Sequence, residues 1–275
     1  MTTPVSLTLP HFDRTPQAFL DLCRQAPELG IAGVFGFDHL VPLGDPRRPV
    51  LEAATVLGAA AAAMPAPGRI GSLVLRTSIR PPAVTAGVAA SLAAIAGSRA
   101  MIGLGVGDRF SLDEARRYGM PPASLEERLA GLEETIALIR LLAPEIPVWV
   151  GGLHRRVREV AARKADGWNA WQVSGDELAA RVSEARESAP GPLVVTWGGG
   201  VILANNQASL EEAVARRGGS NAVMGDGLIA GTPGQVAHEL RARAELVDEL
   251  VVSVLPNEAR NWRLFATAVM PGLVR

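Results

Sequence analysis

One rhythm runs through this chain: a short apolar run that stops at glycine, proline or a charged residue, followed by a longer segment that reads as a helix. The apolar runs are Val5 to Leu9, Gly33 to Phe37, Ile70 to Leu75, Arg99 to Asp108, Ile146 to Val150, Asp166 to Trp171, Leu193 to Leu203 and Leu250 to Val254. Pro82 to Ala96 is a typical intervening segment, almost uncharged and opened by a proline. In Ser124 to Leu142 the residues Leu125, Leu129, Leu132, Ile136 and Ile139 share one face behind a Ser124 and Glu127 capping pattern. The first four repeats pass without a hairpin signal, which argues for parallel strands joined by helices. Eight such units in 275 residues predict a closed (β/α)8 barrel, one domain over residues 1–275. An open doubly wound sheet is the rival for the same alternation, and the count of eight favours closure. Gly198 to Gly200 is expected to break the seventh strand, and an irregular glycine-rich loop to precede Thr232.

The formal net charge of -1 gives no bias toward nucleic acid or anionic lipid, so the expected partner is a small molecule. The single cysteine, Cys23, excludes an internal disulfide framework, and His11, His39, His154 and His238 never fall at metal-ligand spacing, so no metal site is expected. Met1 to Ser6 has no basic leader, and Ala53 to Ala63 is too short and small-sided to span a bilayer; the expectation is a cytoplasmic protein without a membrane segment.

In a parallel barrel the chemistry sits where each strand ends. The second run terminates in Asp38-His39, and an imidazole at a strand end can give or take a proton near neutral pH. Asp108, which ends the fourth run, is the other carboxylate delivered to that rim, as a complementary acid or a holder of a ring nitrogen. The stretch Gly103-Leu-Gly-Val-Gly107 is read as backbone stripped of side chains so that a flat or phosphorylated ligand can lie against it. It is not a dinucleotide fingerprint: the spacing is G-x-G-x-G, and Asp108-Arg-Phe-Ser stands where an immediate helix is expected. Gly151-Gly152 precedes a helix start bearing His154, Arg155 and Arg156, a place for phosphate or carboxylate. Among the strand tryptophans Trp149, Trp168, Trp171 and Trp197, core filling is the commoner role, and ligand contact is expected only at Trp168 or Trp171.

Taken together, several segments resemble the bacterial luciferase-like superfamily of flavin- and deazaflavin-dependent oxidoreductases. They are Leu29-Gly-Ile-Ala-Gly-Val-Phe-Gly-Phe-Asp-His-Leu40, Arg80-Pro-Pro, Gly97-Ser-Arg-Ala-Met-Ile-Gly-Leu-Gly-Val-Gly107, Ile146-Pro-Val-Trp-Val-Gly-Gly152 with Ala165-Asp-Gly-Trp168, and Ala230-Gly-Thr-Pro-Gly-Gln-Val236. The resemblance implies a barrel that binds FMN or coenzyme F420 in its mouth. Asp38 and His39 would lie beside the reactive ring, Gly105, Val106 and Gly107 would offer backbone to the cofactor, and Gly151, Gly152 and Leu153 would hold its phosphate. It also implies a non-prolyl cis peptide in the third strand, at Ser72-Leu73 or a neighbouring bond, marking the cofactor seat.

Asp38-His39 with an acid just after Gly107 looks like the F420-dependent branch, in which Arg155 and Arg156 would meet the acidic tail and His39 with Asp108 would manage the proton of a hydride transfer. An FMNH2-using monooxygenase is the alternative, and a cofactor-free barrel with a binding role a third reading. The chain departs from the family at Leu92-Ala-Ala-Ile, where a Leu-Asp pair is usual, and has no tryptophan shortly after His39. It also has little room for the long insertion of the luciferases, so the substrate stays open. A homodimer is implied as well, for which the small-residue helices Val50 to Ala63 and Val84 to Ala96 are the candidates.

Overall fold

The computed structural model describes residues 3–42, 47–204, 206–216 and 227–273. Strands β1 (Val5–Leu9), β2 (Gly33–Gly36), β3 (Arg69–Ser72), β4 (Leu75–Arg76), β5 (Ala100–Gly105), β6 (Val148–Gly151), β7 (Gly167–Trp171), β8 (Val194–Leu203), β9 (Ile229–Gly231) and β10 (Glu249–Leu255) form one parallel sheet. It closes because β10 pairs with both ends of the series, Val5 opposite Leu250 on one side and Glu249 opposite Thr196 on the other. With β3 and β4 as two halves of the third stave, and β9 lying outside the ring, the barrel has eight staves, as predicted.

Helices α1 (Pro16–Gln25), α2 (Ala53–Ala63), α3 (Pro82–Ala96), α4 (Arg109–Arg117), α5 (Leu125–Leu142), α6 (Arg155–Lys164), α7 (Gly175–Glu187) and α8 (Gln207–Arg216) follow in order, with Pro233–Ala244 and Ala259–Ala268 near the end. Their starts are fixed locally: Thr15 accepts from the Ala18 N–H, and Ser124 and Glu127 form the expected capping box. Among the described residues no helix is long and apolar enough to cross a membrane.

Side chains alternate across each strand, so the barrel has two cores. Val5, Leu7, Leu9, Val34, Ile70, Ile102, Leu104, Val148 and Val150 face the helices. Inside, Phe35, Leu73, Met101, Trp149 and Val251 make a smaller apolar cluster. Beneath it Arg69 pairs with Glu249 at 2.6 Å and lies 5.9 Å from the Phe35 ring, which plugs the amino end of the barrel.

Four local features differ from expectation. The third run is interrupted after Ser72; the cis peptide there, Leu73-Val74, is a neighbour of Ser72-Leu73, as the resemblance implies. The seventh strand runs unbroken through Gly198 to Gly200, because β10 hydrogen-bonds along its whole upper half. Part of the supposed loop before Thr232 is a strand, β9, paired to Val201 through Leu203. And a helix, α4, does follow Asp108 directly, started by a capping box between Asp108 and Ser111.

The glycines of β5 and β6 have a steric explanation. A Cβ on Gly103 would lie 2.3 Å from the Ser72 carbonyl oxygen and 2.9 Å from Leu73, one on Gly105 2.5 Å from Val74, and one on Gly151 2.8 Å from the other Val74 methyl. The Leu73-Val74 bulge therefore occupies the space that the glycines vacate. Replacing Gly103 with Ala is expected to destabilise the protein by about 1–3 kcal/mol. Gly131→Ala in α5, where a Cβ meets nothing within 4 Å, is expected to stabilise it by about 0.5–1 kcal/mol. Thermal unfolding of the two variants checks both signs.

Candidate active site

Asp38 and His39 do emerge at the carboxyl end of β2, but they do not act as a pair. Buried Asp38 accepts from Arg80 at 2.6 and 3.0 Å and from the Arg76 backbone N–H at 2.8 Å. Arg80 in turn donates at 2.6 Å to Glu52, whose carboxylate caps α2 through the Ala54 and Thr55 N–H groups. Asp38 thus serves as a tie between β2, the segment after β4 and the start of α2, since a buried carboxylate needs a full set of donors.

The partner of His39 is Glu114 of α4. Its Oε1 lies 2.6 Å from Nδ1, while Oε2 accepts from the Leu40 N–H at 3.0 Å and from Arg76 Nη2 at 2.6 Å. Burial pushes the Glu114 carboxyl up, but the hydrogen bond and charge of His39, the Leu40 N–H and the Arg76 charge outweigh it and hold the group below its ordinary value. An ionised carboxylate at Nδ1 places the proton there and leaves Nε2 with its lone pair and no hydrogen-bond partner among the described residues. His11, at the end of β1, has its Nε2 3.0 Å from the His39 carbonyl oxygen; its own ionisation is lowered by burial, and its buried Nδ1 finds no partner among the described residues.

Asp108 is not the acid opposite His39. Its carboxylate accepts from the Ser111 N–H at 2.9 Å and hydroxyl at 2.8 Å, because it caps α4, the helix that carries Glu114. The capping pattern Asp108-x-x-Ser111 is the signal in the sequence that announces α4; nothing in the spacing singles out Glu114 or Arg76.

The remaining candidates divide. The Ser72 hydroxyl donates to the Gly103 carbonyl at 2.8 Å and accepts from its N–H, so it stitches β3 to β5, and Leu73 belongs to the interior cluster. Gly105 and Gly151 lie under Val74 rather than bare to the mouth. Val106 is buried, its carbonyl held with that of Gly107 by Arg128, and Gly107 has φ +83° where the chain turns into α4.

Gly152, at φ +144°, leads to exposed Leu153 and to His154, whose side chain accepts from the Arg156 N–H at 3.3 Å and so already takes one of the free donors of α6. Arg155 is exposed beside Glu159, whereas Arg156 is engaged with Glu126.

Trp168 is fully buried on the helix side and donates to the Gly152 carbonyl at 2.9 Å, which withdraws it from any ligand. Trp171, one alternation further on, turns inward, 6.1 Å from the Phe37 ring and directly over Gly198. No cluster of metal-binding side chains occurs among the described residues.

The luciferase-like monooxygenase model matches residues 2–222. The chain belongs to that family. Among curated relatives, this luciferase-like chain is 34% identical over 169 residues to an uncharacterized protein of Mycobacterium tuberculosis, covering 52% of the chain and 56% of the relative. It is 30% identical over 218 residues to the phthiodiolone/phenolphthiodiolone dimycocerosates ketoreductase of the same species, covering 68% of the chain and 54% of the relative. The chain thus spans about half the length of the curated relatives it matches. Two solved structures share the fold across nearly its full length. An F420-dependent secondary alcohol dehydrogenase in complex with an F420-acetone adduct has a TM-score of 0.83 at 16% identity, covering 100% of both chains. A riboflavin lyase with modified FMN and riboflavin has a TM-score of 0.75 at 14% identity, covering 98% of this chain and 91% of the other.

Glu52 offers a test of this electrostatic framework. Burial raises its carboxyl, but the Thr55, Arg80 and Ala54 hydrogen bonds win and bring it down from 4.5 to about 2. A carboxyl depressed in the folded state adds stability that is present above its unfolded value and lost as pH falls toward the folded one. Glu52→Gln should therefore lose less stability than wild type between pH 5 and about pH 2. At pH 7 it should already be about 0.5–2 kcal/mol weaker for want of the cap. Urea unfolding across that pH range checks both.

Proposed function

We propose that this member of the family is an F420-dependent oxidoreductase acting on a small organic substrate held in the barrel mouth. The observation that carries the reading is His39, its Nδ1 anchored by buried Glu114 at 2.6 Å and its Nε2 without a partner among the described residues. The residues present fit a flat, carbonyl-bearing ring: Val74 and Trp171 offer apolar surface at the strand ends, and the buried Arg76 guanidinium keeps donor groups with no acceptor among the described residues.

When bound, such a ring supplies hydride transfer, which no side chain can. The chain's own residues do the rest. His39 Nε2 holds or accepts the proton of the substrate oxygen, and Glu114 keeps the imidazole in that tautomer and balances its charge when protonated. Phe35, Leu73, Met101 and Trp149 close the barrel beneath and exclude water. The likeness in fold to the F420-dependent alcohol dehydrogenase, at a higher TM-score than to the riboflavin lyase, supports the F420 reading.

Side-by-side fluorescence titration with F420 and FMN tests the assignment: micromolar binding of F420 is expected, and binding of FMN alone would replace this reading with the flavin-dependent one. His39→Ala should lower turnover by about 10²–10⁴-fold with the fold intact. An unchanged rate removes His39 from the proton-transfer role.

A further inference from the structure

We propose that Arg76 recognises the carbonyl edge of the ring cofactor, the pyrimidinedione edge that F420 and FMN have in common. This rests on the reading above that a ring of this class occupies the mouth.

The first ground is an incomplete hydrogen-bond set. The Arg76 side chain is 3% exposed, yet its guanidinium makes one side-chain contact, Nη2 to Glu114; Nε and Nη1 are buried and meet no acceptor among the described residues. Asp38, close enough to accept from the Arg76 backbone N–H, spends its oxygens on that group and on Arg80. Buried guanidinium donors without acceptors are costly, and a ligand oxygen is what completes them in a site of this kind.

The second ground is position. Leu75 packs toward the helices, so alternation turns Arg76 inward, and the residue pairs with Gly105 across the ladder. Two residues earlier Val74 covers Gly105 and Gly151 with its methyl groups. Apolar surface next to planar, forked donors matches the face and the edge of a heteroaromatic ring.

The third ground is charge. Arg76 is already neutralised by Glu114, and Asp38 is a second buried carboxylate at its backbone. Arg80 offsets Asp38, so the set has no positive charge left over to match a carboxylate or phosphate, whereas a neutral ring carbonyl accepts the two donors without needing one.

The test uses two pairs of probes: FMN with riboflavin, and F420 with its deazaflavin chromophore lacking the phosphate-bearing tail. Dissociation constants come from fluorescence quenching on wild type, Arg76→Met and Arg76→Lys, with circular dichroism confirming the fold of each. For whichever pair binds, Arg76→Met should weaken the intact and the tail-less molecule by the same factor, about 10- to 100-fold. Arg76→Lys keeps a cation for Glu114, but one ammonium cannot also serve the ring edge, so a severalfold loss is expected; this variant decides if Arg76→Met does not fold. Unchanged constants in the folded variants, or a loss confined to the tailed molecules, overturn the proposal. Wild-type protein that binds none of the four probes removes the cofactor reading and this proposal together; binding by wild type with no change in the variants removes this proposal alone.

Discussion

Two carboxylates and two guanidiniums gathered at one rim with little water are tolerable only as matched charges, and much of the mouth is arranged to keep those charges matched. Removing one partner of such a pair typically costs about 3–5 kcal/mol, because the other charge is then stranded out of water. Asp38 is matched by Arg80, and Glu114 by Arg76 and His39. The groups come from β2, from β4 and the segment after it, and from α4, with Glu52 adding the start of α2. Their contacts therefore hold those elements in register with one another, and His39 inherits its orientation from the whole set rather than from its neighbour in sequence.

Asp108 shows how a strand-end acid can matter at one remove. By capping α4 it fixes where that helix begins, and two turns of helix then carry Glu114 back over β2 and β4. The acid that meets the imidazole comes from the helix, and the acid at the strand end sets the helix. The same economy appears at α6, where His154 serves its own helix start through the Arg156 N–H.

The barrel was legible because closure depends on a count and on the period of apolar runs, both visible without coordinates. The carboxyl ends of the strands followed from the topology, so His39 was correctly placed at the rim. Pair identities were not legible: Glu114 and Arg76 meet across 38 residues of chain, and only the packed fold brings them together. Trp168 and Trp171 look alike in sequence, but three positions apart on a strand means opposite faces, one to the helices and one to the mouth. The glycines of β5 look in sequence like space kept for a ligand, and their nearest occupant is instead another stretch of the same chain.

That last arrangement makes Val74 a gauge of how deep the mouth can be. Its two methyl groups lie against glycines on two different strands, so trimming them opens room over backbone that carries no side chain of its own. Enlarging Val74 has no such freedom, since the opposing backbone cannot retreat. Divergence in the size of molecule accepted could thus proceed through a single position in one direction only, leaving His39, Glu114 and their charge partners untouched.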